Sequence, residues 1–594
     1  MTNNFIINEF KKPTGVISSL IFLITCIVSI IIFPLHSFGM IIYSFLFFII
    51  SVIASTLIED NNTDNKKLTL NNSPILSISI LIFIFGISFY TPDRVDYFNL
   101  NPIWAVDNIN RWHQDTAFNI SLIRGILNWG YPTIGLDGHP LSAYHVLSHY
   151  VDAVLYKISK LDPYSSYGFT VLIKAVYFVN SIFILTYKVS HNKKNGLILF
   201  LIASPLVIAS WHSVASHALW FTSFLLVFTA SIYYKIIISD SIASKKQYIK
   251  IILICIALSI GKISTGVAFA SFVFASMFFR DYTKKRFYIS SFIVFIFLMI
   301  YQKFINYSYG IGSKIDLSQF NIVNILSSIS TPKYSSSIFI LLAILLLAYK
   351  ASKSRQIPRV IFGLSVSYFS IILLNSVFTT FNSNDKYYFY YGLYSIVSLV
   401  IINIFSNLIS SFDEENLSNN FNTNSAFIYS LLVIFGFFIY SPLFSLAHLT
   451  TLDSQELKGL KSFSIQSISE ANKEDQDGRL SKLIQYINKT TKENGIKKNK
   501  TALFIPKNIV EKQLINNDEK RRVFYTMNIF AATGVQLING FIGSGRAYGL
   551  ANYDGKSGLK DSINIPATCK KLQIDGVISV IDYKEELFTY TPCH

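Results

Sequence analysis

"IILICIALSIGKISTGVAFASFVFASMFF", from Ile251 to Phe279, decides how this chain is arranged. An apolar helix needs about 20 residues to cross a hydrocarbon core of roughly 30 Å. The run is too long for one such crossing and short for two. Basic residues flank both ends, Lys245 and Lys246 before it and Arg280, Lys284, Lys285 and Arg286 after it. Gly261, Lys262 and Gly266 stand in its middle. We read a helix pair that enters from one face, breaks near Gly261 and returns to the same face. Broken helices at membrane depth are tolerated where they line a protein cavity. One tilted span would instead flip every later loop and turn its positive clusters outward.

The rest of the chain fits that reading. Its 594 residues are 51% hydrophobic and 14% charged, with a mean hydropathy of +0.43. Soluble domains carry about 25% charged residues. Apolar runs of about 17–22 residues recur, which predicts a polytopic membrane protein. The net charge of +17 does not predict a nucleic-acid partner, because the basic residues lie in short clusters between apolar runs. Cytoplasmic loops carry such clusters. Lys11 and Lys12 precede a first run of spanning length, read as an uncleaved anchor.

Spans are expected near 17–33, 38–57, 74–90, 168–187, 197–210 and 218–237, then the broken segment, then near 287–303, 336–349, 358–379, 391–410 and 426–446. With the N-terminus cytoplasmic, Lys66/Lys67, Lys193/Lys194, Lys245/Lys246, Arg280–Arg286 and Lys350–Arg359 all fall inside. The fold class is therefore an α-helical polytopic membrane protein of about 12–13 spans. Residues 1–446 form the transmembrane part, with a large extracytoplasmic loop at 91–167. Residues 447–594 form a small extracytoplasmic α/β domain.

In that last domain "TALFIPK" (501–507) and "GVISVIDY" (576–583) read as strands, and "VFYTMNIFAATGVQLI" (523–538) as a helix. "KSFSIQSISEANKEDQDGRLSKLIQYI" reads as an exposed helical connector. "NGFIGSGRAYGLANYDG" is glycine-rich; Arg546, Tyr548 and Tyr553 there suit glycan binding or belong to a plain loop. The domain is expected to be accessory, for acceptor recognition or partner contact. Cys569 and Cys593 both fall in this domain, where an oxidising compartment would let them bridge.

All five tryptophans and His113, His139, His145, His149, His212 and His217 fall in or beside outer-face segments. Within "DNINRWHQDTAFNISLIRGILNWGYPTIGLDGHPLSAYHVLSHY" (107–150), apolar positions three and four apart predict an amphipathic helix from Asp115 to Trp129. That helix suits the membrane surface. A Gly/Pro-punctuated turn follows, then a second amphipathic helix carrying Tyr144, His145 and His149. His145 and His149 have metal-ligand spacing, and Asp137 and His139 stand near them. "HVLSH" lacks the Glu of the metalloprotease pattern, and a divalent cation remains one option beside hydrogen bonding to sugar.

The pattern of Asp115, Gly130, Gly138, Pro140 and Tyr144 resembles the first large outer loop of the GT-C superfamily of membrane glycosyltransferases. It is most similar to the types that use polyprenyl-phosphate sugars, such as protein mannosyltransferases and aminoarabinose transferases. The resemblance covers roughly residues 105–165 and the multispan layout in outline. It departs in two ways: the loop follows the third span rather than the first, and Asp115 stands alone rather than beside a second carboxylate.

The resemblance implies transfer of a sugar from a polyprenyl-phosphate donor to a glycan, lipid or protein acceptor, at the outer face of a bacterial cytoplasmic membrane. Asp115 would take the acceptor's proton, or it serves only as a helix cap. Arg111, Arg124, Lys262 and Lys386 are candidates to hold the departing phosphate. Arg124 has snorkelling, and Lys262 a watery helix end, as its plain alternative. His113, Asp137, His139, Tyr144, His145, His149 and His212 complete the expected substrate site. The rivals are a surface-polysaccharide polymerase or ligase, a lipid-linked oligosaccharide transporter, and a non-catalytic scaffold.

Overall fold

The computed structural model describes residues 23, 37–58, 114–137, 146–189, 217–308, 356–377, 396, 478–510, 527–538, 560–582 and 585–593. Its first helices are α1 (Ser37–Ile58), α2 (Gln114–Trp129), α3 (Leu147–Ser159), α4 (Pro163–Val189) and α5 (His217–Ile238). Then come α6 (Lys245–Gly261), α7 (Ile263–Asp281), α8 (Lys285–Ser308) and α9 (Gln356–Val377). The C-terminal part holds α10 (Gly478–Glu493), β1 (Thr501–Phe504), β2 (Gln536–Ile538), α11 (Ile565–Leu572), β3 (Gly576–Asp582) and β4 (Leu587–Pro592). The expected spans near 74–90, 197–210, 336–349 and 426–446 lie outside the described residues, as do all but Leu23 and Ile396 of those near 17–33 and 391–410.

The segment 251–279 is a helical hairpin. Its first arm, α6, starts at a capping box: Ser244 Oγ accepts from the Gln247 N–H at 3.3 Å, and Gln247 Oε1 accepts from the Ser244 N–H at 2.7 Å. The helix ends at Gly261, Lys262 alone is extended (φ −162°, ψ 116°), and α7 begins at Ile263. The two arms run antiparallel, since the Tyr248 hydroxyl near the start of α6 donates to Asp281 Oδ2 at the end of α7, 2.6 Å away. Close approach requires glycine. A Cβ on Gly266 would stand 2.0 Å from Ser259 Oγ, and one on Gly261 2.7 Å from Thr222 Oγ1 of α5.

Basic groups gather at the open end of this hairpin. Arg280 Nη1 donates to the carbonyls of Ile236 (2.5 Å) and Ser239 (2.7 Å), the last turn of α5 and the residue beyond it. Its Nε donates to Asp281 Oδ1 at 2.7 Å. Arg359, in the first turn of α9, pairs with Asp240 at 2.9 Å. The loops after α5 and α7 and the start of α9 thus share one end of the bundle.

Among the described residues, α7 is the helix long and apolar enough to cross a membrane, and 61% of its apolar window is buried by neighbours. Its neighbour α8 has the reverse character. Ile289, Phe292, Phe295, Ile296, Met299 and Ile300 are all exposed along it. A contiguous apolar face of this kind marks an interaction surface rather than a water-facing one.

The C-terminal part is an α/β unit with sheet order β2-β1-β3-β4, parallel through β1, β2 and β3 and antiparallel at β4. Ala502, Phe504, Ile538, Cys569, Ile574 and Val577 form one of its core clusters. A disulfide joins Cys569 on α11 to Cys593 just past β4, with Cα atoms 5.8 Å apart. Two expectations are corrected. The helix expected over 523–538 is, among the described residues, helical only at 527–533, and its "QLI" tail is β2. The expected connector ends in α10, whose buried Leu483 and Ile487 make it part of the domain, not an exposed link.

Candidate functional site

The outer loop and the C-terminal domain meet through backbone as well as side chains. After α2, Gly130 turns the chain (φ +81°), and residues 131–137 fold back along the helix. A Cβ on Gly125 would stand 2.6 Å from Thr133 Cγ2. Leu136 then pairs in parallel with Leu537 of β2. The Leu537 N–H donates to the Gly135 carbonyl (2.7 Å) and the Asp137 N–H to the Leu537 carbonyl (2.8 Å). Gly135 (φ +78°) lies flat on Phe530, which would meet any Cβ at 2.2 Å, and Trp129 stacks on the same ring at 5.6 Å. One isolated bridge with its two backbone hydrogen bonds thus ties the outer loop to the β2 edge of the C-terminal sheet.

This contact changes the reading of α2. Every residue from Ala117 to Arg124 is buried, so the helix is a core element and not one lying on a membrane surface. Its polar face is satisfied by protein. Ser121 Oγ donates to the Met527 carbonyl (3.1 Å), and Asn128 Nδ2 to that of Gly534 (3.1 Å). Arg124, expected to bind phosphate or snorkel, is engaged by protein groups. Its Nε donates to the Ala531 carbonyl (2.5 Å), and its Nη2 donates to the Ala532 carbonyl (3.2 Å) and to Asp162 Oδ1 (2.5 Å). It caps the C-terminal end of the 527–533 helix, where carbonyls lack partners and a cation is favoured. Burial raises the Asp162 pKa, but Arg124 and the Ser165 N–H outweigh it and hold the carboxyl below its ordinary value.

His149, expected in a substrate or metal site, is fully buried between α2 and α3, with Nε2 2.9 Å from Asn119 Oδ1. Asp137, also expected there, has left-handed backbone (φ 46°) at the end of the shared strand pairing. His149 is thus packed in the core and Asp137 sits at a turn. Asp115 falls on the second residue of α2, as its sequence position implies; its side chain lies outside the described set. Arg111, His113, His139, Tyr144, His145, His212 and Lys386 lie outside the described residues. Among the described residues, no three His, Cys, Asp or Glu side chains gather as a metal site.

A buried ionic cluster was not expected. Asp152 on α3 accepts from the Tyr43 hydroxyl of α1 at 2.9 Å and pairs with Lys174 of α4. Asp152 and Lys174 are 1% and 2% exposed, so the pair pins three helices together. Nothing in their spacing signalled this, because the partners stand on different elements.

Lys262, a candidate to hold the departing phosphate, lies at the break itself. It is 3% exposed, at the N-cap of α7, with no side-chain cap bond there. Ser264 and Thr265 follow in the first turn. Both are fully buried, and their hydroxyls have no hydrogen-bond partner among the described residues. Side chains on a helix lean toward its N-terminus. Two hydroxyls and the first N–H groups of α7 are therefore directed at the break where Lys262 is buried. Helix starts of this composition favour anions. No protein-family model, no curated protein and no solved structure matches the chain.

Proposed function

We propose that the chain is a membrane glycosyltransferase. It transfers a sugar from a polyprenyl-phosphate donor to a glycan, lipid or protein acceptor at the outer face of a bacterial cytoplasmic membrane. The observation that carries this reading is the donor set at the α6–α7 break: Lys262 buried beside the orphaned hydroxyls of Ser264 and Thr265. Glycosyl transfer from such a donor leaves negative charge on the departing phosphate oxygen, and preorganised donors lower the barrier where charge develops. Asp115, opening α2, takes the proton of the acceptor hydroxyl as that oxygen attacks the anomeric carbon. The configuration inverts.

Three features support the membrane setting: the apolar face of α8, the basic cluster at the open end of the hairpin, and the Cys569–Cys593 bridge, which belongs to an oxidising compartment. In this reading the N-terminus is cytoplasmic and the C-terminal domain extracytoplasmic.

The test is a mass-spectrometric profile of surface glycans and lipid carriers in a deletion strain. Complementation would use wild type, Asp115→Asn or Lys262→Met, each checked for equal membrane level. Loss of one sugar that only wild type restores is the expected result. Full restoration by Asp115→Asn removes the base assignment. Collapse of long chains to single repeat units would point to a polymerase instead.

A further inference from the structure

Beside the Arg124 contact lies a cleft of about 560 Å3, between the start of α4 and the C-terminal domain. Its size is within the roughly 300–1,000 Å3 of small-molecule sites. The chain builds it deliberately. Helix α10 ends in a left-handed Gly495 (φ +62°), with the Ile496 N–H returned to the Thr491 carbonyl at 2.9 Å. That turn brings Lys498 back over the helix, where its Nζ donates to Asn488 Oδ1 at 2.8 Å. Lys492, in the last turn of α10, lines the same cleft, and Ile484, Ile496 and Ala532 supply an apolar wall.

The charge of the cleft is unbalanced. Asp162 lines it and is shared between Arg124, 2.5 Å away, and the charge of Lys498. One carboxylate thus faces three cations, Arg124, Lys498 and Lys492, which leaves the cleft net positive over an apolar wall. Burial and the neighbouring Arg124 lower the Lys498 pKa, against the opposing pull of Asp162. A bare anion would satisfy the lysines and leave the apolar wall unused.

We infer that this cleft binds a saccharide unit carrying one anionic group, a carboxylate or a phosphate ester. The two lysines hold the charge, Asn488 and Asp162 take hydroxyls, and Ile484 and Ile496 cover the C–H face of the ring.

The experiment is ligand-observed NMR and calorimetric titration of the purified full-length chain in detergent. The probes are a glucuronate-containing disaccharide, glucose 6-phosphate, maltose and inorganic phosphate. At least one anionic sugar should bind, its affinity falling with added salt, while maltose gives no measurable signal. The two anionic probes distinguish a uronic acid from a sugar phosphate. Lys492→Gln and Lys498→Gln should each weaken binding about tenfold, the value of one charge-assisted hydrogen bond. Lys489→Gln, on the exposed side of the same helix, should change nothing.

Each variant's unfolding midpoint is compared with wild type, and Lys492, exposed on α10, supplies the variant least apt to disturb folding. Equal binding of maltose, equal binding by all variants, or no binding of either anionic sugar would overturn the assignment. Inorganic phosphate binding as tightly as glucose 6-phosphate would reduce the cleft to an ion site and overturn it too. Binding is read on the isolated chain, so its outcome is separable from the cell-surface profile that tests the transferase reading.

Discussion

Arg280 and Arg124 perform the same task in two regions of the molecule. Each caps the C-terminal end of another helix and carries an aspartate: Arg280 on α5 with Asp281, Arg124 on the 527–533 helix with Asp162. Their surroundings differ. Asp281 is 0% exposed, and its side chain has Arg280 and Tyr248 around it, whereas the Asp162 side chain is 44% exposed. Arg280 therefore secures a closed helix end, while Arg124 fastens two distant parts of the chain at a wetter joint. The same fork of donors gives rigidity in one place and attachment in the other.

The comparison breaks first at Arg280. Arg280→Ala leaves the buried Asp281 charge with only the Tyr248 hydroxyl and the Ala243 N–H, and should cost about 3–5 kcal/mol, as losing one partner of a buried pair does. The thermal unfolding midpoint in detergent reads it; a drop no larger than that of Arg124→Ala would erase the distinction between the clamps. Removing Lys174 from the Asp152 pair should cost a similar amount, about 3–5 kcal/mol, and Lys174→Met paired with Asp152→Leu should recover most of it.

Arg124→Ala comes next, at about 2–3 kcal/mol, because water reaches Asp162 and only the charge-assisted bonds are lost. Its signature should be early proteolytic release of the C-terminal domain. Arg124→Lys should restore little of it, since an ammonium cannot span two carbonyls and a carboxylate. Asn128→Ala removes one neutral bond to Gly534 at the same joint, about 1 kcal/mol by the same assay.

The smallest effect is acidic. The folded pKa of Asp162 is depressed, so its contribution is present above about pH 4 and is lost as pH falls through the lower folded value. An exposed pair is worth at most about 1 kcal/mol. An acid-induced loosening of the joint that persists in Asp162→Asn would assign it to another group.

The two clamps also differ in how far the sequence could reveal them. Arg280 sits beside its aspartate at the end of an apolar run, so a helix end rich in charge was legible there. The carbonyl partners of Arg124 lie 407 and 408 residues away, and only folding brings them within reach. The same limit hid the Asp152–Lys174 pair and turned His149 from an expected ligand into a packed core residue. β2 was missed for another reason: three residues after a helix carry no period of their own to separate strand from helix.

By itself the sequence determined the break near Gly261, the helices at 38–57, 168–187, 218–237, 287–303 and 358–379 in outline, two of the strands and the domain that holds the disulfide. These follow from local properties: apolar run length, glycine in an apolar run, and basic residues at run ends. Tertiary structure alone decided that Leu136 bridges to β2 and that Arg124 is a clamp. It also decided that Lys492 and Lys498 share a cleft with Asp162. Hydrogen bonds and ion pairs act over about 3 Å and are indifferent to chain separation, so a pattern read along the chain cannot show where they close.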